Sequence, residues 1–274
     1  MDYNYERYKM SNYDLSRFDG PAAGEELIDF RLTKLDGTEV SLSDYKGKWL
    51  VLETGSLTCP MFVKNIDPLR DVKSKHPDVE FLVIYVREAH PGSRRGPSGD
   101  MEEKITLAKE MKDAFGEHRE ILVDGVDGAM HQAYGSMPNM VYIVAPNGKV
   151  IYRCDWSFAK RIDKVLQDRD KLHTEEHVRI VGAAPWITVP VCLKGGWDAL
   201  WDLAKAMPVH SVGTSEAGHR HAVRQEVRPS RGSGENECRL KSRRWMPRWA
   251  RVFAAWTSRN RLPTKRLKPY MLPG

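Results

Sequence analysis

Hydrophobic and polar positions alternate, cluster and repeat in a way that divides the chain into elements. Residues 28–48, IDFRLTKLDGTEVSLSDYKGK, read as two half-apolar strands around Asp36-Gly37, a dipeptide suited to a tight hairpin turn. WLVLET follows from Trp49 and is apolar almost throughout, as an interior strand covered on both faces should be. Phe62, Ile66 and Leu69 then recur at helical spacing, with Pro60 in a first turn and Pro68 expected to bend the helix. VEFLVIYV (79–86) is a second interior strand, closed by the Gly/Pro-rich loop REAHPGSRRGPSGD. Residues 101–115 carry Ile105, Ala108, Met111 or Lys112, and Phe115 on one helical side. ILVD (121–124) reads as a short strand and GAMHQAYG as a helical turn or two. MVYIVAPNGKVIYRC reads as a hairpin turning at Asn147-Gly148, and residues 158–172 as a closing helix.

The order is a hairpin, then β-α-β-α-β, a short helix, a second hairpin and a helix. It predicts an α/β domain with a thioredoxin-like fold: a central mixed sheet with an N-terminal β-hairpin and flanking helices. A doubly wound nucleotide-binding fold fits less well, because no GxGxxG turn follows the first interior strand. The predicted domain spans residues 25–172. Residues 1–24 are polar, tyrosine-rich and broken at Gly20-Pro21, and are expected to form a flexible N-terminal arm. Residues 173–223 read as a C-terminal helical extension in which Trp197, Leu200, Trp201 and Ala204 share a helical face. That face is expected to dock on the domain, with a substrate lid or a dimer contact as the alternatives. Residues 224–274 show little periodicity and are expected to be a basic, disordered tail.

Charge sharpens this division. The chain of 274 residues carries +6 overall, yet residues 224–274 hold fourteen Lys or Arg against three Asp or Glu, which leaves the rest at −5. RWMPRWARVFAAW within the tail joins arginines to aromatic residues, a combination suited to an anionic membrane surface or nucleic acid. No apolar run is long enough to span a membrane, and MDYNYERYKM lacks the character of a secretory leader. With four unpaired-looking cysteines at 59, 154, 192 and 238, the expected location is cytoplasmic. Their spacing suits neither a disulfide framework nor a metal site, and no metal or bound cofactor is expected.

The candidate chemistry lies at Cys59. It follows an interior strand, and Pro60 starts a helix directly after it. Unpaired amides at a helix start favour thiolate over thiol, so Cys59 is expected to be more acidic than a free thiol, with Thr58 or Ser56 adding a hydroxyl donor. His90 ends the second interior strand. If the two strands are neighbours, His90 and Cys59 share a rim, with His90 donating a proton to a leaving group or pairing with the thiolate, and Glu88 orienting the imidazole or holding a proton. His131, on a short helix, reads as structural. Cys154 is the best internal candidate for a resolving thiol, with a buried strand position as the alternative, whereas Cys192 and Cys238 read as inert. Pro138 precedes a strand near the same rim.

GSLTCPMF followed by FLVIYVREAHPG resembles the iodothyronine deiodinase family, a branch of the thioredoxin-like proteins. The matching positions are Gly55, Ser56, Thr58, Cys59, Pro60 and Phe62, then Tyr85, Glu88, Ala89, His90 and Pro91. The resemblance covers about residues 30–160. It implies a reactive Cys59 where animal members carry selenocysteine, and by similarity to thioredoxins a cis bond before Pro138. The chain departs from the family in GSRRGPSGD after His90-Pro91 and in Met140, where members often have arginine. The animal enzymes also carry an N-terminal membrane anchor.

Two functions are expected from these residues. One is a thiol oxidoreductase, acting on a peroxide or a halogenated aromatic and recycled by an external thiol reductant or reductase. The other is a non-enzymatic thioredoxin-like binding module anchored by its basic tail.

Overall fold

Strand β3 (Trp49–Gly55) is buried along nearly its whole length, as its unbroken apolar run requires. It lies inside a seven-stranded sheet, between β4 (Val79–Tyr85) and β6 (Val141–Val144). β3 and β4 are parallel, paired from Trp49↔Val79 to Gly55↔Tyr85, and β5 (Glu120–Val123) continues the parallel set beside β4. β1 (Arg31–Lys34) and β2 (Glu39–Ser41) form the N-terminal hairpin, which joins the sheet antiparallel to β5. β7 (Val150–Cys154) closes the other edge against β6. The order β2-β1-β5-β4-β3-β6-β7, with helices on both faces, is a thioredoxin-like α/β fold. The computed structural model describes residues 3–14, 18–174 and 182–206. The basic tail and Cys238 therefore lie outside the described residues.

The sheet separates two apolar cores, because alternate side chains of a strand point to opposite faces. Leu50, Leu52, Tyr142 and Val144 face one core with α3 (Met101–Phe115), which contributes Leu107, Ala108 and Met111. Val51, Val141, Ile143 and Cys154 face the other, with α2 (Ile66–Lys75) and α5 (Ala159–Gln167). Asp100 caps α3 by accepting from the Glu103 N–H at 2.9 Å. The short α4 (Ala129–Ala133) is fixed by Asp124, whose carboxylate accepts from the His131 N–H at 2.9 Å.

Several expectations are corrected. The stripe of Phe62, Ile66 and Leu69 is not one bent helix. It is divided into α1 (Pro60–Val63) and α2, with the break at Lys64 and Asn65. Pro68 lies in the first turn of α2, where its missing N–H has no helical partner to lose. Residues 3–14 of the N-terminal arm pack on the domain. Tyr3 bonds His131 Nδ1 at 2.9 Å, Asn4 donates to the Val126 carbonyl at 2.9 Å, and Tyr5 donates to the Ala89 carbonyl at 3.1 Å. Arg87 organises this packing, its guanidinium lying over the rings of Tyr3, Tyr5 and Tyr13 at 4.8–5.1 Å. The extension forms α6 (Pro185–Gly195) and α7 (Trp197–Ala206), but α7 docks through Ala199, while Trp197 and Trp201 are 73% and 62% exposed.

Candidate functional site

Cys59 occupies the N-cap of α1, directly beyond the end of β3. The parallel pairing of β3 and β4 brings the loop after β4 to the same rim. There the two sequence motifs are tied together by hydrogen bonds. The Glu88 carboxylate accepts from the Thr58 N–H at 2.9 Å and from the Thr58 hydroxyl at 2.5 Å, and Tyr85 donates to its other oxygen. Thr58 Oγ1 in turn accepts from the His90 N–H at 3.0 Å, and Ser56 Oγ accepts from the Ala89 N–H at 3.1 Å. Burial raises the pKa of Glu88, against the lowering effect of the Thr58 and Tyr85 hydrogen bonds. Ser56 and Thr58 thus brace the Glu-Ala-His loop instead of donating to the sulfur as expected. Glu88 is likewise held by Thr58 and Tyr85 rather than orienting the His90 ring.

Phe62 fills the space beneath this turn. A side-chain carbon on Gly55 would collide with its ring, which accounts for glycine at the end of β3. The Cys59 thiol donates to the Pro138 carbonyl at 3.7 Å. The Met137–Pro138 bond is trans, against the expected cis form. The chain reverses before it through left-handed residues, Gly135 at φ 110° and Ser136 at φ 58°, so the turn does not depend on the proline isomer.

The electrostatics of Cys59 reverse the sequence expectation. No amide closes a full capping hydrogen bond on the sulfur, although those of Met61 and Phe62 favour its thiolate. Burial outweighs them. Cys59 is 1% exposed, and loss of hydration pushes its thiol up to about 12. Tyr13 of the arm and Cys192 of α6 lie near enough to interact with it electrostatically. His90 is also covered: the Tyr8 ring lies 4.4 Å from its imidazole, and burial lowers its pKa to about 4. Its Nδ1 has no hydrogen-bond partner among the described residues. At neutral pH this arrangement holds a neutral imidazole and a protonated thiol.

Cys154 belongs to the core on the opposite face of the sheet from Cys59, so the fold does not bring that resolving candidate to the site. His131 is fully buried between Tyr3 and the Met137 carbonyl, at 2.9 and 2.8 Å. Sequence reasoning missed a polar network beneath the site. Arg119 donates to Glu53 at 2.6 Å and to Glu117 at 2.6 Å, Asn139 donates to Glu53 at 3.1 Å, and Asn65 donates to Asn139 at 3.3 Å. The signal was present in Glu53, the one charge in the apolar run WLVLET.

Comparison with known proteins supplies the family. The profile of the Iodothyronine deiodinase family matches residues 6–167, more than half of the chain. A thyroxine 5-deiodinase of Sparus aurata is 30% identical over 119 residues, covering 39% of this chain and 44% of that protein. Across the deiodinases it matches, the chain spans between 37% and 58% of their length. Among solved structures, a secreted disulfide oxidoreductase of Mycobacterium tuberculosis shares 17% identity at a TM-score of 0.41, covering 51% of this chain and 95% of that one. An exposed lipoprotein thioredoxin of Streptococcus pneumoniae shares 21% at a TM-score of 0.41, covering 52% and 99%. The expected cytoplasmic location is withdrawn. Unpaired thiols do not by themselves place this chain inside a cell. With both motifs in place on a thioredoxin-like sheet and a match over residues 6–167, the chain belongs to the iodothyronine deiodinase family.

Proposed function

We propose that the protein is a thiol-dependent oxidoreductase in which Cys59 attacks a small electrophilic oxidant, a peroxide, and an external thiol reductant restores it. The observation that carries this reading is the position of Cys59 where β3 meets α1, with the Glu88–His90 loop hydrogen-bonded around it through Ser56 and Thr58. Reaction begins when the arm bearing Tyr8 and Tyr13 moves aside. Water then reaches the sulfur, the burial penalty falls, and the amides of Met61 and Phe62 stabilise the thiolate. The thiolate attacks a peroxide oxygen, the O–O bond breaks, and Cys59 becomes a sulfenic acid while the departing oxygen takes a proton.

A second substrate class, halogenated phenols, is favoured by one observation: the niche on His90 already receives a phenol ring, that of Tyr8. With halogenated phenols, the Cys59 thiolate would take the halogen as a sulfenyl halide, the carbon–halogen bond would break, the ring carbon would take a proton by way of His90, and the external thiol would release halide. Turnover with hydrogen peroxide and with an iodinated phenol, each with excess dithiothreitol, separates the two. Cys59→Ser should abolish whichever activity is found. Undiminished turnover in that variant would remove Cys59 from the chemistry.

A further inference from the structure

We infer that Cys192 is the thiol that resolves oxidised Cys59, forming a disulfide between α6 and the start of α1. The inference rests on the oxidoreductase reading of Cys59 and assigns the second half of its cycle. α6 packs against α1, and its buried residues are Val191, Cys192 and Gly195. Cys192 and Gly195 are three residues apart and share one side of the helix. That side is pinned to the rim of the site: Gly195 O accepts from the Arg94 N–H at 2.8 Å, and a side-chain carbon on Gly195 would collide with the His90 carbonyl.

Cys192 therefore faces the compartment enclosed by α1, the His90 loop and the arm. Tyr8, whose ring lies on His90, interacts electrostatically with Cys192, and the Cys59 sulfur does so too. Cys154, by contrast, lies across the sheet. Cys59 and Cys192 are both free thiols in this structure. Pro190 stands inside α6 two residues before Cys192 and removes the backbone donor that would close on Trp186. The helix is thus less firmly held beside Cys192, and a disulfide needs the two Cα atoms within roughly 7 Å.

The step balances without another oxidant. Peroxide converts the Cys59 thiol to a sulfenic acid. The Cys192 sulfur attacks the Cys59 sulfur, the S–OH bond breaks, and hydroxide leaves as water with the proton from Cys192. An external dithiol returns two electrons and two protons.

The full chain, reduced and then given one equivalent of hydrogen peroxide, should yield a Cys59–Cys192-linked peptide pair on non-reducing mass mapping. Cys154→Ser should leave that pair unchanged. Cys192→Ser and Cys192→Ala, each checked for a native circular-dichroism spectrum, should lose it and let dimedone trap Cys59 as its sulfenic-acid adduct. Equal dimedone trapping in the wild type and a folded Cys192 variant, or a bridge from Cys59 to another cysteine, would overturn the assignment. Diamide couples neighbouring thiols without a sulfenic acid. A diamide-made Cys59–Cys192 bridge in a protein whose Cys59 resists peroxide would sink the peroxide chemistry and keep the pair. No such bridge under either oxidant would sink the pair.

Discussion

Removing residues 1–14 takes Tyr5, Tyr8 and Tyr13 away from the site, and Cys59 should then become far more reactive. Burial holds its thiol at about 12, so on the order of 10⁻⁵ of it is thiolate at pH 7. Rehydration to the ordinary value near 8.5 raises that fraction to about 0.03, a gain of roughly 3,000-fold. A less basic thiolate is also a weaker nucleophile, which takes back about 30-fold over this span. The net expectation is labelling of Cys59 by iodoacetamide at pH 7 that is roughly 100-fold faster in the truncated chain. The rate is read by mass spectrometry of the Cys59 peptide, with far-UV circular dichroism confirming that the sheet survives. An unchanged rate in a folded, truncated protein would show that the arm is not what suppresses the thiol. Labelling of the intact chain as fast as a model thiol would refute the burial argument itself.

Three further outcomes are expected from the packing. Gly55→Ala places a carbon against the Phe62 ring and should destabilise the protein by about 1–3 kcal/mol in urea unfolding, since neither β3 nor α1 has room to yield. Arg119→Met leaves Glu53 and Glu117 buried without their cation and should cost about 3–5 kcal/mol in the same assay, whereas a cost near zero would mean the network is hydrated. Burial lowers His90 to about 4 and His131 to about 3, so between these values and about 6.5 the unfolded chain binds protons that the folded chain does not. Stability therefore falls as pH drops through that window, by about 2 kcal/mol for each histidine at pH 5. Urea midpoints measured from pH 7.5 to 4.5 check the direction, and His131→Gln should flatten part of the slope.

The sequence by itself determined the elements and the order in which they come. Asp36-Gly37 and Asn147-Gly148 mark the two hairpins, the continuous apolar runs mark β3 and β4, and Cys59-Pro60 marks a helix start, because each is a matter of local periodicity and turn chemistry. The two motifs also carried the family. Only the tertiary structure decided what covers each buried face. It set the hairpin beside β5 and split one apolar stripe into α1 and α2. It also sent Cys154 to the far side of the sheet and brought α6 with Cys192 against α1. The same limit explains the reversal at Cys59. A helix start can be read from neighbouring residues, but a thiol's acidity depends on water. Here tyrosines from the arm and a helix far downstream in the chain exclude that water, and no local pattern around Cys59 records them.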